Sequence, residues 1–176
     1  MKKISMILVM TLTMLSCQGQ NKNTNNQTTK TMDSRDELMN QILTTNDTTQ
    51  VGDNSGKSIL TRGCDPEMGK RSAKVLPPLL GNPKMVSVHN DNDFIEQLKS
   101  KKWSVVFFAP GACRYNESHL PIPGNIEFTK GWSLEEYRAL VYQYQGKDVK
   151  IVETMDEQQI IPFLKNALEN SITPTK

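Results

Sequence analysis

Short apolar runs alternate with helical patterns through the second half of the chain. Residues 85–88, 104–108 and 149–152 are apolar runs of strand length, and 104–108 is apolar on both faces, which predicts a central strand. Asp93 and Ser133 are each followed three residues later by a glutamate, a capping box that predicts a helix start. The alternation predicts an α/β fold with a mainly parallel sheet.

The last helix has two possible starting points. Asp156 with Gln159 also matches the capping-box pattern, but a helix that began there would contain Pro162 in its interior, at a cost of about 3 kcal/mol. Either the helix begins near Pro162, where proline is tolerated in the first turn, or the segment becomes helical later.

The chain begins with a basic head and a short apolar run. Two lysines precede residues 4–15, a run too short to cross a bilayer as a helix, which is typical of a secretory signal peptide. Ser16 before Cys17 resembles the lipobox of bacterial lipoproteins. That resemblance implies that residues 1–16 are removed and that an acylated Cys17 anchors the protein to membrane lipid, on the periplasmic or exterior side of the cell envelope. An ordinary cleaved signal with an incidental cysteine is the alternative.

A polar segment separates this signal from the predicted domain. Residues 18–31 are mostly Asn, Gln and Thr and predict a disordered tether, whereas 36–43 has the spacing of one short amphipathic helix. Residues 52–58 end in Gly-Lys-Ser but lack the spacing of a phosphate-binding loop and the strand before it, so they predict a flexible linker. We therefore predict a lipid-anchored linker over 17–78 and a folded domain over 79–172.

Composition and cysteine usage narrow the possible partners. The net charge is only +2 and aromatic residues make up 6% of the chain, so nothing favours binding to nucleic acid. His89 and His119 each lack a second ligand at metal spacing, and no metal or cofactor is predicted. Export would place the protein in an oxidising compartment, where Cys64 and Cys113 can pair as a disulfide.

Cys113 is the candidate for chemistry, because it follows the predicted central strand through Pro-Gly-Ala. Open α/β sheets place their sites beyond the carboxyl ends of the strands. If Arg114 begins a helix, its guanidinium and the helix amides would favour the thiolate of Cys113. His119, on the same excursion, is a candidate acid or base.

Residues 86–113 and 137–155 resemble the thioredoxin-like superfamily. The resemblance implies a small three-layer α/β domain in which Cys113 matches the first cysteine of the Cys-x-x-Cys pair. The second position is Asn116, so a dithiol cycle is absent and a monothiol role is implied, with a protein or a small thiol such as glutathione as the partner. Pro162 is the candidate for the proline that faces the site in that family.

A second segment is similar to the rhodanese family. Residues 115–121 contain Tyr115 and His119-Leu120-Pro121, similar to the Tyr and His-Ile-Pro of that family, and 125–126 is the Asn-Ile that follows. The strand over 148–152 would then precede the persulfide-carrying cysteine, but residues 153–155 are Glu-Thr-Met, which implies an inactive rhodanese-like domain.

A third interpretation is a lipoprotein that binds or scaffolds without catalysis. In that case a disulfide between Cys64 and Cys113 would be structural and would contribute about 2–4 kcal/mol to a small exported domain. Peptide mapping without reduction separates this interpretation from a reactive thiol.

Overall fold

The computed structural model describes residues 51–112 and 122–174. In chain order the strands and α-helices are β1 Ser58–Arg62, α1 Pro66–Leu79, β2 Lys84–Val88, α2 Asp91–Ser100, β3 Val105–Phe108, α3 Leu134–Gln145, β4 Lys150–Glu153 and α4 Ile160–Glu169. Single 3-10 turns at Glu127–Thr129 and Glu157–Gln159 precede α3 and α4.

The four described strands form one sheet in the order β2-β1-β3-β4, and every pair of neighbours is parallel. Leu60 of β1 lies beside Val86 of β2 on one side and Val106 of β3 on the other. Val106 lies in turn beside Ile151 of β4. The predicted α/β class with a parallel sheet is confirmed, and β3 is central as its two-sided apolar pattern indicated.

The predicted boundary between linker and domain is wrong. Ser58–Arg62 was assigned to the linker over 17–78, yet it is β1, a central strand whose five residues are all buried. The helix α1 that follows contacts β2. The domain therefore begins well before residue 79. The strand was missed because serine, threonine and arginine occupy three of its five positions.

Helix α1 begins where the sequence places strong start signals. Asp65 is the N-cap, and its carboxylate accepts hydrogen bonds from the backbone N–H groups of Glu67 (2.9 Å) and Met68 (3.2 Å). Pro66 occupies the first turn, where its missing N–H and fixed φ are tolerated. Gly69 lets α1 approach β2 closely, because a Cβ atom there would lie 2.5 Å from the Ser87 hydroxyl oxygen.

The other three helices begin at or near the predicted residues, and only the start of α2 differs from its predicted cap. Helix α2 is capped by Asn90, whose side chain accepts from the Asp93 N–H (2.9 Å), so it begins before the predicted cap at Asp93. Helix α3 begins as predicted, with the Ser133 N–H donating to the Glu136 carboxylate (2.6 Å). Helix α4 has Pro162 in its first turn, which was one of the two predicted alternatives.

The helices cover both faces of the sheet. The connection from β1 to β2 crosses the sheet in one direction, and the connections from β2 to β3 and from β3 to β4 cross it in the other. Because such crossovers are right-handed, α1 lies on one face of the sheet and α2 and α3 lie on the other. Leu60, Val106 and Phe108 pack with Phe94 and Tyr137 in the core beneath α2 and α3. The result is a three-layer domain. None of its described helices has the length and apolar character needed to span a bilayer.

Candidate functional site

The strand order reverses between β1 and β3. From β1 the chain crosses to β2 on one side, and from β3 it crosses to β4 on the other. In open α/β sheets the crevice for a ligand opens at such a reversal, beyond the carboxyl ends of the two strands. Gly63 and Cys64 follow β1 at this edge, and Ala109, Pro110 and Gly111 follow β3.

Cys64 lies at this reversal, between β1 and the N-cap of α1. Its thiol is free and half-buried. The sulfur packs against Gly111 so closely that a Cβ atom at residue 111 would overlap it. Nearby, the Ala109 N–H donates to the carbonyl of Arg62 (3.0 Å) and the Gly63 N–H donates to the carbonyl of Val88 (2.9 Å). The backbone of the two residues before Cys64 is therefore held by hydrogen bonds to β2 and to the residue that follows β3.

A buried ion pair supports the same edge of the sheet. Arg62, the last residue of β1, and Asp91, the first residue of α2, are both fully buried. The Arg62 Nε atom donates to Asp91 Oδ1 at 2.8 Å. Its other two nitrogens donate to the backbone carbonyls of Gly63 and, at 2.7 Å, Pro123. Arg62 thus ties the residue before Cys64 to the segment that resumes at residue 122.

The second Asp91 oxygen completes this network. Oδ2 accepts hydrogen bonds from the hydroxyl groups of Thr129 and Tyr137, each at 2.6 Å. Burial raises the pKa of Tyr137 well above its ordinary value, and the hydrogen bond to Asp91 raises it further. Tyr137 therefore stays a neutral donor, and the network joins β1, α2, α3 and the segment between β3 and α3.

The N-terminus of α1 is not an open anion site. Its first backbone N–H groups point toward the carboxyl edge, but Asp65 accepts from two of them. The capping carboxylate is also negatively charged and lies next to Cys64 in the chain. This arrangement disfavours binding of a phosphate or sulfate group beside the thiol.

Several predicted site residues lie outside the described residues. They are Cys17, Cys113, Arg114 and His119, and the pairing of Cys64 with Cys113 stays a prediction. Ala112, which is buried, is the last described residue before Cys113.

Two other predicted residues are described. Pro162 is exposed in the first turn of α4, and its role as a site-facing proline stays a prediction. His89 is exposed just after β2. Nowhere in 51–112 or 122–174 do three potential metal-ligating side chains cluster.

Sequence reasoning assigned Cys64 only a possible role in a disulfide. The signal that would have placed it at a strand end was present: an Asp-Pro pair directly after the cysteine marks a helix start. A short run containing Ile59 and Leu60 precedes it, so the order strand, cysteine, helix could have been predicted.

A separate groove runs along the edge strand β4. Its volume is about 300 Å³, and its walls are β4 and one face of α4 that includes Phe163, Asn166 and Asn170. Neither Cys64 nor Gly111 lines it. The groove is therefore distinct from the thiol at the boundary of β1 and β3.

Comparisons with protein-family models, with curated proteins and with solved structures found no match to this chain.

Proposed function

We propose that this chain is an exported, lipid-anchored protein that carries out thiol–disulfide exchange at the carboxyl edge of its sheet. The observation that carries the proposal is the placement of Cys64. Its free, half-buried thiol lies at the reversal of strand order and packs against Gly111, two residues before Cys113 in the chain. Acylated Cys17 would hold the domain at the membrane, facing the periplasm or the exterior.

In this proposal Cys113 remains the predicted nucleophile and Cys64 is the second thiol. The Cys113 thiolate attacks one sulfur of a partner disulfide, a new S–S bond forms, and the other partner sulfur leaves as a thiolate. Cys64 then attacks the mixed disulfide, releases the remaining partner thiolate, and is left in a disulfide with Cys113. The partner disulfide gains two electrons and the two cysteines lose two, so no further oxidant is required.

The buried network acts as the support for this chemistry. The Arg62 guanidinium donates a hydrogen bond to the carbonyl of Gly63, the residue before Cys64. Asp91 neutralises the Arg62 charge, which is buried away from water. Because the backbone of Arg62 and Gly63 is hydrogen-bonded, the Cys64 thiol that follows keeps its position beside Gly111. These are positioning residues.

The exchange proposal is tested with residues 17–176 carrying Cys17→Ser, which retain every described residue. The reduced protein is incubated with glutathione disulfide, quenched with acid and analysed by intact mass and peptide mapping. We expect Cys64→Ser to trap a glutathione adduct at Cys113, and the parent to form the Cys64–Cys113 disulfide instead.

Two results would contradict the proposal. One is the absence of an adduct on the folded Cys64→Ser variant at a concentration of glutathione disulfide that modifies the same variant when it is denatured. The other is a quantitative Cys64–Cys113 bridge that resists mild reduction in the folded protein, which would favour the scaffold with a structural disulfide. Cys64→Ser and Cys113→Ser serve as matched controls for each other.

The lipid anchor is tested separately in cells. We expect a labelled fatty acid to be incorporated into the full chain and the protein to sediment with membranes. Cys17→Ser should abolish both, whereas Cys64→Ser should change neither. Retention of the label in the Cys17→Ser variant would refute the anchor without affecting the exchange proposal.

Sulfur transfer of the rhodanese type is the second candidate. The sequence placed the missing cysteine after β4, but Cys64 follows β1, the direct neighbour of the strand that leads into the rhodanese-like segment. The Cys64 thiolate would attack the sulfane sulfur of thiosulfate, form a persulfide and release sulfite. We rank it second because Asp65 occupies the amides that would bind the anionic donor. A persulfide on Cys64 after exposure to thiosulfate, absent in Cys64→Ser, would favour it.

A further inference from the structure

The amino-terminal edge of the sheet carries a concentration of lysines. Lys84 is the first residue of β2, Lys101 and Lys102 precede β3, and Lys99 and Lys147 lie at the C-terminal ends of α2 and α3. All five are exposed. We call these five residues the lysine edge.

The lysine edge is not neutralised from within the domain. In the described part of the chain, no carboxylate forms an ion pair with any of the five. Lys101 lies over the Trp103 ring, 3.9 Å from its centroid, and Lys102 donates to the carbonyl of Tyr144 at 2.6 Å. Partial burial lowers the pKa of Lys101, and the nearby Lys84 cation lowers it further. These contacts hold Lys101 and Lys102 in place without an acidic partner for either charge.

Few carboxylates lie in the loops of this edge. Asp148 adjoins Lys147, and Asp53 lies before β1, where its carboxylate accepts from the Ser55 N–H. Glu169, the exposed last residue of α4, is a third carboxylate at this edge, so five exposed lysines face three carboxylates. The local charge is positive even though the whole chain carries only +2.

The opposite edge of the domain is acidic. Because the connecting helices begin where strands end, first-turn carboxylates collect there, including those of Glu67, Asp93 and Glu135. The two edges thus differ in sign, and the thiol of Cys64 lies at the acidic one. A surface of negative charge would bind the lysine edge and leave Cys64 on the far side.

The chain joins the domain at the lysine edge. The Asn54 N–H donates to the carbonyl of Gly81 at 2.7 Å, and the Lys84 N–H donates to the carbonyl of Lys57 at 3.0 Å. The segment before β1 is thereby held beside the start of β2. The described chain therefore enters the sheet at the lysine edge.

We propose that the lysine edge binds the anionic phospholipid headgroups of the membrane to which the chain is tethered. The orientation rests on the proposed anchor at Cys17, 34 residues before Val51. The disordered tether that the sequence predicts over residues 18–31 would by itself have a root-mean-square span of about 20 Å, which keeps the domain within reach of the surface. Weak binding to headgroups is then sufficient, because the tether supplies a high local concentration of lipid.

The test uses residues 17–176 with Cys17→Ser, so that no acyl chain contributes. Co-sedimentation is measured with vesicles of phosphatidylcholine alone and with vesicles that also contain phosphatidylglycerol. Each lysine near an anionic surface contributes roughly a fivefold factor in partitioning. We expect the combined Lys84→Gln, Lys101→Gln and Lys147→Gln variant to bind the anionic vesicles about 100-fold more weakly than the parent does.

A matched control carries the same change in net charge away from this edge. Lys74→Gln, Lys130→Gln and Lys165→Gln lie in α1, before α3 and in α4, and should leave vesicle binding within about twofold. Added salt should release the parent protein, since exposed charges are screened within about 10 Å at moderate ionic strength. Circular dichroism and tryptophan fluorescence confirm that both variants are folded.

Three results would overturn the lipid assignment. They are equal binding of the parent to neutral and anionic vesicles, an equal loss in the control variant, and no binding of the parent to either vesicle. Full competition by duplex DNA at equal charge would instead indicate a general polyanion surface and would also overturn it. These readouts involve neither thiol nor acyl chain, so their failure is separable from failure of the proposed function.

Discussion

Removal of the Asp91 carboxylate should destabilise the domain more than any other single change at the candidate site. Asp91→Ala leaves the fully buried Arg62 guanidinium without its counterion and deprives the hydroxyl groups of Thr129 and Tyr137 of their acceptor. Breaking a buried ion pair from one side costs about 3–5 kcal/mol. Since a domain of this size is stable by roughly 5–15 kcal/mol, the variant should retain only part of its stability.

A graded set of variants keeps this prediction measurable. Tyr137→Phe removes one hydrogen bond to the charged Asp91 and should cost about 1.5–3 kcal/mol. Tyr142→Phe is the matched control, because Tyr142 is exposed on the same helix and its free energy of unfolding should stay within about 0.5 kcal/mol of the parent value. In the Asp91→Ala background, Tyr137→Phe should cost less than it does alone, because its acceptor is already gone.

The assay is urea unfolding of residues 17–176 with Cys17→Ser. Tryptophan fluorescence is the signal, and it includes Trp132, whose ring lies 5.4 Å from that of Tyr137. A loss below about 1 kcal/mol for Asp91→Ala would refute the buried pair as a major support. Full additivity of Asp91→Ala and Tyr137→Phe would refute the shared hydrogen bond. Faster alkylation of Cys64 in the folded Asp91→Ala variant is the expected functional consequence.

Three further results follow from close contacts and from ionisation. Gly111→Ala should lower the free energy of unfolding by about 1–3 kcal/mol, displace the Cys64 sulfur and change the rate at which a disulfide reagent labels it. Adding Cys64→Ala should recover most of the lost stability. No recovery would refute the contact between Cys64 and Gly111. Gly69→Ala should destabilise α1 by about 1–3 kcal/mol although alanine favours helices, and Ser87→Ala should relieve part of that loss. A gain in thermal stability for Gly69→Ala alone would contradict the close approach of α1 to β2. The folded state raises the pKa of Tyr137 above its ordinary value of 10.0, so its contribution to stability is complete below about pH 10 and declines above it, where the unfolded phenol ionises. Urea midpoints measured above pH 10 should therefore fall more steeply for the parent than for Tyr137→Phe.

Much of the fold followed from local signals in the sequence. Strand β3 was predicted because Val105 to Phe108 are all apolar, and such a run has to be buried on both faces. Helix α3 was predicted because Ser133 and Glu136 form their contact within one turn of chain. These signals involve residues that are neighbours in sequence, so no tertiary information is needed to find them.

Strand β1 and the candidate site were harder to predict for the same physical reason. Arginine is normally a surface residue. The burial of Arg62 depends on an ion pair with Asp91, which lies 29 residues away in the chain. Cys64 was considered only as a disulfide partner because its contact with Gly111 joins segments that are far apart in the chain.

Local patterns along the chain were enough to predict the α/β class, the central place of β3 and the start of α3, and they led to the expectation of an exported, tethered thiol protein. The central position of β1, the buried ion pair at its end and the five lysines at one edge became visible only in the folded domain. Periodicity and capping depend on residues within a few positions of each other. Burial of a charge and clustering of like charges depend on which distant segments the strand order brings together.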